Sequence, residues 1–227
     1  YNLPGDEMDL RQTLFDNRDL KYKDFHTKLV PNISPDRFIG VRVPVIRKIA
    51  RQAFKENAYN PCEYYEEVMV KGITIGMKKC STNEHINDIA EFVPLIDNWA
   101  ICDSCAASFK FISDDLPAYY DFIKGYIGKG EYETRFAVVM LMSFYINDEY
   151  IDEVLEILKG IKSDKYYVNM AVAWAFSVIY VKFKDKTQLI IESRCLSPWV
   201  QNKSIQKIKE SFRVSSEDKA YLTQFKI

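Results

Sequence analysis

The strongest constraint on this chain is the return of helix-length segments at nearly even intervals. "CEYYEEVMVKGITIGMKK" (62–79), "DNWAICDSCAASFKFI" (97–112), "YETRFAVVMLMSFYI" (132–146), "KYYVNMAVAWAFSVIYVKF" (165–183) and "WVQNKSIQKIKESFR" (199–213) repeat apolar residues at three- and four-residue steps. That is the period of a helix burying one face. They begin about 35 residues apart, the rhythm of arrays built from two-helix units of about 35 to 47 residues. Second helices fit between them at 83–96, 114–127, 149–161 and 185–196. Asn83, Ser113 and Asp164 can cap N-termini, and Gly128, Gly130 and Gly160 suit helix ends. Eight glycines and eight prolines in 227 residues leave few further breaks, and no segment reads as a strand. The spacing predicts an all-α fold, one domain over 1–227 in which helix pairs stack into a solenoid, an α-α superhelix. An irregular helical bundle is the alternative; similar helix lengths and short connections favour the solenoid.

The uncharged run "YYVNMAVAWAFSVIYV" (166–181) is shorter than the roughly 20 residues a membrane span needs. It reads as a central, fully buried helix, and no membrane partner is expected. Five cysteines, at 62, 80, 102, 105 and 195, are odd in number and irregular in spacing. They fit reduced thiols in a cytosolic protein better than a disulfide framework. "NKS" at Asn202 is a formal sequon that carries no weight without a secretion signal.

A net charge of −1 conceals an uneven distribution. Nine basic residues between Lys21 and Lys55 face two acids, and eight between Lys182 and Arg213 face three. From Asp114 to Glu156, ten acids face three bases. Two basic regions could grip a polyanion, although an ordinary solvated surface would give the same counts.

"NWAICDSCAASF" (98–109) offers two chemistries. Cys102 and Cys105 form a C-x-x-C, but zinc needs about four ligands, and the histidines, His26 and His85, are distant in sequence. A thioredoxin-like site would need a βαβ context. The cysteines therefore read as small packing residues, and no metal or other cofactor is expected. Trp99 and Asp103 lie four residues apart and share a helix face. Arg135 follows Trp99 by 36 residues and Trp174 follows Arg135 by 39. Stacked repeats would bring all four onto one concave surface, giving two aromatic faces, a carboxylate and a guanidinium in one cleft. Each taken alone is an ordinary core or surface residue. What raises Asp103 is its place in an otherwise apolar helix centre, where a carboxylate needs a partner or an open cleft.

The ordered set "FIGVRVPVIRKIAR" (38–51), "NWAICDSC", "YETRFAVVMLM" and "YYVNMAVAWAF" resembles the AlkD-like DNA alkylation repair family over nearly the whole chain. The resemblance implies a HEAT-like repeat fold with a concave DNA-binding cleft. It also implies hydrolysis of the N-glycosidic bond of cationic alkylated purines such as 3-methyladenine and 7-methylguanine. Asp103 would then stabilise an oxocarbenium-like sugar and position water. Trp99 and Trp174 would offer π faces to the cationic nucleotide, and Arg135 would hold a phosphate. Lys203, Lys207, Arg213, Arg42 and Arg47 are further candidates for contacts to the backbone of double-stranded DNA. The base would stay stacked and not be flipped into a pocket. The protein would be a metal-independent monomer in the bacterial cytoplasm, near the nucleoid while acting. The chain departs from the family at Ser177, where a phosphate-binding arginine would stand, and in its slightly acidic pI near 6.2. A non-catalytic binder of damaged or structured DNA and a protein-interaction scaffold are the alternatives.

Overall fold

A computed structural model describes residues 8–59 and 61–227. Among these the chain forms thirteen α-helices and three short 3-10 turns, with no strand. The fold is all-α. The chain divides into two compact units, Tyr1–Tyr119 and Tyr120–Ile227. The helices that answer to the five predicted long segments start at Tyr65, Trp99, Glu131, Tyr166 and Pro198, at intervals of 34, 32, 35 and 32 residues.

The first unit holds α1 (Leu10–Asp16), α2 (Leu20–Leu29), α3 (Val43–Glu56), α4 (Tyr65–Ile75), α5 (Thr82–Phe92) and α6 (Trp99–Ala106). Helix α4 packs against both α3 and α6, so it has no solvent face and buries Tyr65 through Val70 and Gly72 through Ile75. Its two carboxylates must then be satisfied inside the unit. Glu66, 1% exposed, accepts from the backbone N–H of Ile39 at 2.9 Å, Gly40 at 2.7 Å and Val41 at 3.1 Å. Gly40 needs its glycine, since its φ is +102°. Burial pushes the Glu66 carboxyl upward against three donors that favour the anion. Glu67 takes the Arg11 guanidinium at 2.7 Å. Gly72 sets the approach of α6, because a Cβ there would stand 2.4 Å from Cys105 Sγ and 2.5 Å from Phe92 Cζ.

Helix α7 (Leu116–Lys124) contains the division between the units. The second unit continues with α8 (Glu131–Phe144), α9 (Ile151–Gly160), α10 (Tyr166–Lys182), α11 (Lys184–Ser193), α12 (Pro198–Glu210) and α13 (Ser216–Thr223). Helix α10 lies against α8, α11 and α12, which explains its near-continuous apolar composition. The sequence suggested a fully buried helix, and the structure corrects this. Tyr166, Val178 and Val181 are exposed, and Tyr167, Met170 and Trp174 are half-buried. These positions fall at three- and four-residue steps, so α10 keeps one open stripe.

The caps differ from the sequence reading by one or two residues. Ser81, not Asn83, starts α5, because its hydroxyl and the Glu84 carboxylate form a reciprocal capping box. Asp115, not Ser113, accepts from Ala118 N–H at the start of α7, whereas α10 begins at the N-cap Lys165 with no side-chain cap, so Asp164 does not cap it. Among the described residues no helix is long and apolar enough to cross a membrane.

Candidate nucleic-acid interface

Helix α6 is only eight residues long, and its start is fixed from outside. Asn98, fully buried, caps it by accepting from Ile101 N–H at 3.0 Å. Trp99 Nε1 donates to the Leu29 carbonyl at the end of α2, at 2.9 Å. Asn32 donates to the Asp97 carbonyl at 2.6 Å, and Arg37 pairs with the Asp97 carboxylate at 2.5 Å. Ala100, Ile101, Cys102, Cys105 and Ala106 face the core, whereas Trp99, Asp103 and Ser104 are half-buried and Ala107 is exposed. Trp99 and Asp103 therefore share the open stripe of α6, four residues apart. The carboxylate escapes the cost of full burial while standing beside an indole whose N–H is already engaged.

The two cysteines lie on the opposite side. Both are buried, and Cys105 Sγ contacts the Met69 carbonyl at 3.7 Å against Gly72 of α4. Burial pushes the Cys105 thiol far above its ordinary value, which disfavours the thiolate needed by a nucleophile or metal ligand. The geometry is that of packing. His26 and His85 are likewise enclosed, His26 bonding Tyr65 Oη at 3.0 Å and His85 stacking on Phe111 at 3.6 Å between ring centres. Among the described residues no group of three His, Cys, Asp or Glu side chains is placed to hold a metal ion.

Of the basic residues in this unit, Arg47 reaches from α3 to the far end of α6, donating to Ser108 Oγ and the Ser104 carbonyl, each at 3.3 Å. Its charge thus sits beside the last turn of the Asp103 helix. Arg42 precedes α3, pairs with Asp19 at 2.9 Å and lies 5.0 Å from the Tyr22 ring centre. That pair is exposed and easily exchanged for another anion.

Arg135 and Trp174 belong to the second unit, on the packed helices α8 and α10. Arg135 is 4% exposed. Its Nη1 donates to the Tyr167 carbonyl at 2.8 Å, and its guanidinium stands 6.0 Å from the Tyr167 ring centre. In this position it orders the first turn of α10. Trp174 lies on the open stripe of α10, and its carbonyl accepts from Ser177 Oγ at 2.7 Å. Ser177 lines an open depression of about 410 Å³ together with Lys182 and Arg213. Of the other predicted cations, Lys203 Nζ stands 5.5 Å from the Trp199 ring centre and bonds Gln206, and Lys207 pairs with Glu210 at 3.0 Å.

Sequence reasoning passed over Lys182. It stands eight residues after Trp174, and continuing the four-residue step along α10 would have found it. Trp99 and Asp103 stand in the first unit, and Arg135 and Trp174 in the second.

The profile of the family described as DNA alkylation repair enzyme matches residues 10–208. The chain belongs to that family. A search of the curated proteins found no match.

Proposed function

We propose that the protein is a DNA glycosylase that releases cationic alkylated purines, 3-methyladenine and 7-methylguanine, from double-stranded DNA. The observation that carries this reading is the pair Trp99 and Asp103 on the open stripe of α6, in a chain of the alkylation repair family. Alkylation at a ring nitrogen makes the purine a good leaving group, so the barrier lies mainly in the oxocarbenium-like sugar. A fixed carboxylate favours that charge as it develops and can orient the attacking water. Trp99 and Trp174 are the candidate indole faces, and such a face favours a cationic group by about 1 to 2 kcal/mol once desolvated. Both units act as one repair domain, as a monomer, without a metal. The test is release of free 3-methyladenine and 7-methylguanine from methylated duplex at enzyme excess.

Phosphate contact falls to Arg213, Lys203 and Lys207 in the second unit and to Arg42 and Arg47 in the first. Arg135, held by Tyr167, supports the α10 start and adds positive charge there. The depression shared by Ser177, Lys182 and Arg213 offers cations where the family's arginine is absent. Arg213→Ala is expected to weaken duplex binding evenly across sequences and to reduce the slope of log affinity against log salt by about one. An unchanged slope in a salt titration would remove Arg213 from the interface.

Ser177 and the buried Arg135 favour a second reading, a family member that binds damaged DNA without turnover. It is distinguished by duplex binding without base release.

A further inference from the structure

We propose that the N-terminal ends of α8, α10 and α12 form an aromatic ledge that binds a strand of unpaired DNA. Tyr132 is the second residue of α8, Tyr166 and Tyr167 open α10, and Trp199 is the second residue of α12. Their rings form a continuous row. Centroids stand 5.9 Å apart from Tyr132 to Tyr167, 5.1 Å from Tyr167 to Tyr166 and 5.7 Å from Tyr166 to Trp199. Tyr166 is 55% and Trp199 38% exposed. Neither belongs to the buried face of its helix, which α12 fills with Val200, Gln201, Ser204, Ile205 and Ile208. The unit therefore does not need these rings for its packing.

Lysines stand near both ends of the row. Lys203 Nζ lies 5.5 Å from the Trp199 ring centre. Lys165 directly precedes Tyr166 and, with Lys129 and Lys162, lines an open depression of about 530 Å³ at the starts of α8 and α10. Of the nearby acids, Glu131 is held by Tyr167 N–H at 3.2 Å and Asp164 by Lys165 at 3.8 Å, while Glu133 lies against Gly130. Exposed rings with ammonium groups close by suit the bases and phosphates of a strand. A duplex hides its base faces in its own stack, so the fitting occupant is a strand whose bases are unpaired. A protein partner is disfavoured, because at these helix ends the exposed large apolar side chains are the two aromatics and their flanks are lysines.

The proposal rests on the reading that the chain works on DNA, and the test separates the two. Fluorescence anisotropy would measure binding of labelled oligo(dT) and, in parallel, of a labelled duplex to the intact chain. Trp199→Ala and Tyr166→Ala are each expected to weaken oligo(dT) binding about tenfold, Trp199→Phe is expected to restore most of it, and duplex affinity is expected to stay in place. Oligo(dT) affinity indifferent to both alanine variants would overturn the ledge. So would duplex binding without any oligo(dT) binding, which leaves the repair reading intact. Absence of both would remove both proposals.

Discussion

Asp103→Asn is expected to cut base release from methylated duplex by roughly 100- to 1,000-fold in single turnover, the range for removing one preorganised electrostatic contact from a transition state. Asparagine preserves shape and removes the charge that opposes the sugar cation. Duplex affinity should hold or rise slightly, because a carboxylate repels phosphates in the ground state. Release at the wild-type rate, with the variant folded, would remove the carboxylate from the mechanism.

Glu66→Ala is the second large effect, and it concerns stability. The side chain holds three backbone N–H groups of the segment leading into α3. Its loss leaves those donors buried without an acceptor, at about 1 to 3 kcal/mol each before water enters the space. A loss of about 3 to 5 kcal/mol follows, which lowers the midpoint by roughly 10 °C for a chain of this size. Thermal denaturation followed by circular dichroism measures it. A midpoint within about 2 °C of wild type would mean that the segment is held by other contacts. The same segment delivers Arg42 and Arg47, so duplex affinity should fall with it.

Much of the fold was legible because helical period and breaker scarcity are local properties. Four of the five predicted long segments are helical to within about four residues at each end, whereas 97–112 holds only α6 (Trp99–Ala106) before a 3-10 turn at Lys110–Asp114, and α10 takes its apolar composition from packing against α8, α11 and α12. Cap residues were less legible. Ser81 wins over Asn83 through a reciprocal bond with Glu84, and a single candidate residue gives no view of such a bond. The buried carboxylates Glu66 and Glu67 were invisible, since "YEEVM" reads as a solvated face until α4 is enclosed by its neighbours. In the candidate site the four-residue step made Trp99 and Asp103 a pair on one face. Arg135 shows the limit of spacing, which gives a helix position but not the depth of burial that places it beneath the Tyr167 carbonyl. Lys203 was legible as a charge, while its partner Trp199 needed the register of α12 against α10.

Incubating methylated duplex DNA with excess wild-type protein and measuring free purines by chromatography decides whether the chain is a glycosylase. Stoichiometric release of 3-methyladenine and 7-methylguanine is expected, with abasic sites left in the strand. Duplex that is bound yet releases neither base would contradict it and would make the chain a binder of alkylated DNA.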